Sequence, residues 1–232
     1  MHSFKHHHHG SGEASAKATN GLIIKGGWRY DVHGWFLDTC VFRGQGRALR
    51  QRTVTLARLQ PGDQVLDVGC GTGTLAMEVE PRVNAKGHVF GIDPSAQQIA
   101  RARSKAAQRN LSIEFQTGVI ENLDFPDQTF DVVVSTIMMH HLSESLKRRG
   151  LSEIARVLKP GGRLVIADFK RPEERAAQAV RFGAGGSRIQ NLAALVKEAG
   201  FSQVKTEEMQ LPRFPAHSAG FAGFVCGKKP IS

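Results

Sequence analysis

Between residues 61 and 167, short β-branched runs alternate with helical stretches, and this alternation constrains the fold more than anything else in the chain. QVLDVG (64–69), HVFGID (88–93), SIEFQTG (112–118), FDVVVSTI (130–137) and RLVIADF (163–169) read as strands. The spacing predicts helices over 74–83, 95–108 and 143–158. Ser95 is placed to cap the second, and Lys159-Pro160-Gly161-Gly162 to stop the third. FDVVVSTI is nearly all apolar, as a parallel strand buried on both faces must be. Strands alternating with helices form βαβ units, so the chain is α/β with a doubly wound parallel sheet.

The flanks differ from this middle. Residues 1–18 (MHSFKHHHHGSGEASAKA) have the character of an expression tag and linker, so His2 and His6 to His9 carry no metal argument. Residues 19–60 read as an N-terminal helical cap, containing the aromatic WRYDVHGWFLDTCVF and then Arg43, Arg47 and Arg50 on one helical face. After an irregular stretch at 170–190, a helix over 191–199 and two last strands complete a third unit, 61–232. The net charge of +10 is divided unevenly. Residues 61–167 hold twelve Lys/Arg and twelve Asp/Glu, whereas 1–60 carry nine against three and 168–232 ten against six. The basic excess thus lies outside the alternating core, which turns the inference from nucleic acid toward an anionic small substrate or a lipid surface, with a solvated basic face as the bland alternative. Three cysteines make no disulfide framework and suggest a reducing, cytoplasmic setting. No apolar run approaches the roughly 20 residues that span a bilayer.

The chemical signal is strongest at VLDVGCGTG, where a strand ends in Gly69, Gly71 and Gly73 and a helix begins. Glycine lets the backbone turn tightly and approach a ligand closely. A dinucleotide site needs G-x-G-x-x-G; here Thr74 stands where the third glycine belongs, which disfavours an NAD oxidoreductase. Asp67, just before the glycines, suits a cationic ligand group better than a pyrophosphate. Asp93 ends the second strand, 24 residues after Gly69, where a carboxylate accepts ribose hydroxyls or caps the next helix.

These segments, with GIDPS, ENLDFPDQTFDVVV, MMHHL and EIARVLKPGGRLVIADF, resemble the class I S-adenosylmethionine-dependent methyltransferases, most closely the ubiquinone/menaquinone biosynthesis branch. The likeness covers about residues 60–170. It implies a Rossmann-like sheet of about seven strands with the last antiparallel, and S-adenosyl-L-methionine as cofactor. By the same resemblance Asp67, Gly69, Cys70, Gly71 and Gly73 hold the methionine end, Asp93 the ribose, and Pro94 and Ser95 lie beside the adenine, with Thr136 completing the set. Many members carry Gly-Asp-Ala after the third strand. This chain has Gly118-Val119-Ile120-Glu121, so adenine would rest on backbone, on Val119 and Ile120, or on Glu121.

Methyl transfer is an in-line displacement for which the protein supplies alignment, sometimes a base, and exclusion of water. The acceptor side is expected at the ends of the fourth and fifth strands. The Asn/Asp-Pro-Pro-aromatic motif of amino-group base methyltransferases and the Pro-Cys of cytosine C5 enzymes are both missing, which argues against nucleic acid. His140 and His141 are the ionisable pair there, with His141 favoured as base or orienting group and Asp168 as a further catalytic candidate. Each also has a plain structural role open to it. Tyr30 and His33 lie in the region that forms a lid in related enzymes. Cys40, Cys70 and Cys226 are not spaced as in arsenite methyltransferases. The leading expectation is methylation of a small-molecule acceptor, at an oxygen, carbon or nitrogen. The alternatives are a lipid acceptor at an anionic membrane surface, or cofactor binding without methyl transfer. No metal site and no oligomeric state is read from the sequence.

Overall fold

The computed structural model describes residues 45–170, 189–210 and 221–231. The tag-like segment, the aromatic lid region with Tyr30 and His33, Cys40, Arg43 and most of the irregular 170–190 stretch lie outside them. Helix α1 (Gln45–Ala57) leads into β1 (Gln64–Val68), α2 (Thr74–Val83), β2 (His88–Asp93), α3 (Ala96–Gln108), β3 (Ile113–Thr117) and β4 (Phe130–Thr136). A 3-10 turn at Met139–His141 precedes α4 (Glu144–Val157), β5 (Leu158–Lys170), α5 (Ile189–Glu198), β6 (Ser202–Gln210) and β7 (Phe221–Lys228). The seven strands form one sheet in the order β3-β2-β1-β4-β5-β7-β6. Strands β1 to β5 pair in parallel, and β7 runs antiparallel to both β5 and β6.

The two-residue period of the strands sorts the core onto two faces. Val65, Val132, Val134 and Val165 pack with Val54 and Ala57 of α1, Leu75 and Val79 of α2, and Ile99 and Ala102 of α3. Their neighbours Leu66, Val68, Val133, Leu164 and Ile166 pack on the other face with Leu146, Leu151 and Ile154 of α4 and Leu192 and Val196 of α5. Side-chain hydroxyls start two helices: Ser95 accepts from Gln98 N, and Ser143 from Leu146 N.

The helix stops before Lys159–Gly162 as predicted, but these residues already belong to β5, which starts at Leu158 directly after α4, earlier than the expected 163. Leu158 pairs with Phe130, the register then shifts, and Gly161 takes a positive φ of 77° to absorb the irregularity. Of the three arginines expected on one helical face, Arg43 lies outside the described residues. Arg47 is exposed, but Arg50 pairs with Glu78 of α2 at 2.8 Å. Arg52, on the same helix, pairs with Glu207 of β6.

Strand order reverses between β1 and β4. Ligands in doubly wound sheets bind beyond the carboxyl ends of the strands at such a point. Ser135 fastens the two ends together by donating to Val68 O at 2.8 Å.

Candidate active site

The glycine loop opens this edge. Gly69, Gly71 and Gly73 all adopt positive φ, at 72°, 54° and 76°, which explains why each is glycine. The amides of Gly69 and Cys70 both donate to Ile92 O at 2.9 Å, pinning the loop to the end of β2. The three positions have different surroundings. A Cβ at Gly69 would collide with Met138, and one at Gly73 with Phe115, whereas one at Gly71 would meet nothing within 4 Å. Gly71 therefore turns the open side of the loop toward a ligand.

Asp67 lies beneath it, 1% exposed, and neither carboxylate oxygen has a hydrogen-bond partner among the described residues. Burial pushes its pKa up to about 7; the backbone of Ala76 offsets part of this, and the charge of Asp93 adds to it. A buried acid left without a partner fits a cationic ligand. Asp93 is half-buried, and its two oxygens accept from Ser95 N at 2.9 Å and Gly71 N at 3.0 Å. Burial raises its pKa, and these two amides hold it down. Each oxygen keeps a lone pair for a hydroxyl donor.

Other predicted cofactor residues are placed differently. The Ser95 hydroxyl is committed to capping α3. The Ile120 side chain is buried in the core under Gly150 of α4, where an added Cβ would come within 2.6 Å of it, which leaves its backbone as the part that could meet a ligand. The Cys70 side chain also turns inward, toward Gly91, and burial raises its thiol pKa well above the ordinary value, with Asp67 and Asp93 adding to the shift. Only its backbone shares in the loop. Val119 stays near Asp93, because Gly118 N donates to Asp93 O at 3.1 Å. Pro94 is half-buried beyond Asp93, and Thr136 is the half-buried last residue of β4. Sequence reading passed over Gln98. It is 3% exposed, in the first turn of α3, and its Oε1 has no hydrogen-bond partner among the described residues. Only the odd choice of a polar residue on a buried helix face could have flagged it.

On the β4–β5 side the histidines separate. Asp168 is 2% exposed and accepts two hydrogen bonds from one residue, from His140 N at 2.8 Å and from the His140 ring Nδ1 at 2.7 Å. A carboxylate only accepts, so Nδ1 carries the proton and, in the neutral ring, Nε2 keeps a lone pair. His141 lies against His140 with ring centroids 3.8 Å apart. Burial lowers its pKa, the neighbouring His140 lowers it further, and Asp168 partly restores it. The favoured candidate therefore changes from His141 to His140, because His140 holds the carboxylate. Lys147, which sequence reading also missed, is buried on α4; burial lowers its pKa while Asp168 and then Glu144 raise it.

Residues 65–162 match the Methyltransferase domain family. Over those residues the chain is similar to methyltransferase domains, and Asp67, the open Gly71 and the lone pairs of Asp93 fit S-adenosylmethionine as the cofactor. The chain is 36% identical over 149 residues to a ubiquinone/menaquinone biosynthesis C-methyltransferase from Geobacter sulfurreducens, covering 63% of this chain and 56% of that protein. It is 32% identical over 157 residues to an arsenite methyltransferase from Halobacterium salinarum, covering 64% and 40%. The alignments thus span about half the length of these curated relatives. In architecture it is similar to a SAM-dependent methyltransferase from Aquifex aeolicus, with a TM-score of 0.61, 23% identity, and coverage of 77% of this chain and 88% of that one.

Proposed function

We propose that the protein methylates a small-molecule acceptor bearing a hydroxyl or an acidic C–H, with His140 as base and Asp168 as the group that orients it. The observation that carries this reading is the His140–Asp168 pair, two residues beyond Met138, whose side chain packs on Gly69 of the cofactor loop. When bound, S-adenosylmethionine supplies an electrophilic methyl group on a sulfonium. Asp67 and the glycine loop would hold its methionine end and Asp93 its ribose, with Gln98 Oε1 available to its amino group where Val119 offers no acceptor. Asp168 fixes the His140 tautomer, and His140 Nε2 takes the proton of the acceptor as the new bond forms. The relative acting at carbon in quinone biosynthesis supports this kind of acceptor. In the arsenite reading three thiols are needed, and Cys70, buried with a raised pKa, is a poor first one.

The test is transfer of a labelled methyl group to a panel of quinols, phenols, β-dicarbonyl compounds, amines, anionic lipid vesicles and arsenite. Label on a hydroxyl- or carbon-acid acceptor, lost in His140→Gln, supports the proposal. Label only on amine, lipid or arsenite overturns the acceptor class. Calorimetric binding of S-adenosylhomocysteine without any transfer overturns the activity.

A further inference from the structure

Strand β4 leaves the sheet through Ile137, which holds φ at +53°. A positive φ is uncommon for any residue with a side chain, and for a β-branched one it is a genuine outlier that persists only where the surroundings impose it. The other non-glycine residues with positive φ among the described ones are Arg58, Asn84, Asn110, Gln128 and Gln203, none of them β-branched.

Two anchors impose it. Ile137 N donates to Ala167 O at 2.8 Å, and the side chain packs against the cluster formed by Leu49 of α1, Ala167 of β5, and Ala222 and Phe224 of β7. Past the kink, Met138 covers Gly69, the 3-10 turn Met139–His141 closes, and His140 reaches Asp168 through both its amide and its ring. Ala167 and Asp168 are consecutive, so adjacent residues of β5 hold Ile137 and His140. A relaxed φ at residue 137 would redirect the chain before it reached Asp168.

We propose that Ile137 is a positioning residue: its strained backbone, held by the Ala167 carbonyl and by packing on the cluster that contains Leu49, sets the path that brings His140 onto Asp168 and so ties helix α1 to the acceptor side. This rests on the reading of His140–Asp168 as the base. Its test does not need the acceptor. In full-length protein saturated with S-adenosylhomocysteine, the His140 Nδ1–H proton is followed by NMR, assigned by its loss in His140→Gln. Ile137→Gly accepts either sign of φ and removes the clamp. The expected result is loss or fast exchange of that proton, with S-adenosylhomocysteine affinity changed less than about twofold. Ile137→Val, which keeps a branched side chain at the kink, retains the signal. Leu49→Ala gives the same change more weakly, and it serves as the decisive variant where Ile137→Gly does not fold. A protected Nδ1–H in both Ile137→Gly and Leu49→Ala overturns the proposal. Once an acceptor is known, kcat in Ile137→Gly should fall about tenfold or more at nearly unchanged cofactor affinity. If His140→Gln retains turnover while Ile137→Gly still loses the proton signal, the base assignment fails and the positioning role stands.

Discussion

Two buried carboxylates face the same sheet edge and are treated in opposite ways. Asp67, beneath the glycine loop, is buried with no side-chain oxygen hydrogen-bonded among the described residues, and its pKa is driven up to about 7. Asp168, on the far side of β4, is as deeply buried but is bonded twice to His140. A buried acid without a partner raises the free energy of the empty fold, and a cation relieves it. A buried acid already paired does nothing for a ligand directly; it fixes the group it holds. On the proposed function, the first arrangement would bind the cationic end of the cofactor and the second would hold a base in line.

The paired side should show the largest effect. His140→Ala removes the base, and turnover should fall about 10²- to 10⁴-fold, the usual contribution of a general base, with S-adenosylhomocysteine affinity within a few-fold of the parent. Asp168→Asn should cost a similar amount, because an amide no longer enforces the Nδ1–H tautomer. Steady-state kinetics beside calorimetry separates the two quantities. A matched loss of cofactor affinity in either variant would erase the distinction between the two acids.

On the unpaired side the prediction is a trade between stability and binding. The folded pKa of Asp67, about 7, lies above the ordinary 3.8, so the folded protein holds a proton that the unfolded chain has released between those values. The empty protein therefore loses stability as pH rises from about 4 to 7, and the cost, on the order of 4 kcal/mol for about three pKa units, is complete above that. Asp67→Asn removes it. The variant should melt at higher temperature than the parent at pH 8 yet bind S-adenosylmethionine tens- to a hundredfold more weakly, for loss of a charge-assisted contact of about 2–3 kcal/mol. In the parent, cofactor affinity should drop as pH falls below about 7, approaching tenfold per unit, with proton release on binding in that range. An affinity flat from pH 6 to 8 would show that Asp67 does not meet the cation.

These two sides were not equally legible in the sequence. The sheet and the glycine loop were, because β-branched runs, glycines at 69, 71 and 73 and the acid at 93 act through local backbone geometry that spacing encodes. The seventh strand's antiparallel direction came with the family resemblance. The His140–Asp168 pair joins residues 28 apart through the crossing of β4 beside β5, and sequence alone gave no reason to prefer His140 over His141. For Ile120 the sequence does not separate a core side chain from a ligand contact; its burial beside Gly150 of α4 places the side chain in the core. Gln98 and Ile137 went unread for a related reason: an unpaired amide and a left-handed φ are properties of surroundings, not of spacing.

Gly150→Ala tests the Ile120 assignment. The added methyl would lie 2.6 Å from Ile120, so the core must shift, at a cost of about 1–3 kcal/mol read by denaturant titration. Because the Ile120 side chain is core rather than ligand contact, S-adenosylhomocysteine affinity should stay within about twofold. A clear loss of affinity at unchanged stability would return Ile120 to the adenine side.

The smallest effect is expected where α1 meets the sheet edge by charge. Arg52 bonds Glu207 of β6 through both Nε and Nη2, but the two side chains are 39% and 38% exposed, so water and salt screen the pair. Helix α1 also buries Leu49, Val54 and Ala57 against the sheet, and apolar burial of that kind contributes about 1.5–3 kcal/mol per large side chain. Packing, not the ion pair, should therefore hold α1 in place. Arg52→Ala should leave the denaturation midpoint almost unchanged, the more so in 0.5 M salt, and leave the His140 Nδ1–H signal unchanged. Loss of that signal in Arg52→Ala would mean that charge at the rim, rather than Leu49 in the cluster, seats α1 against the acceptor side.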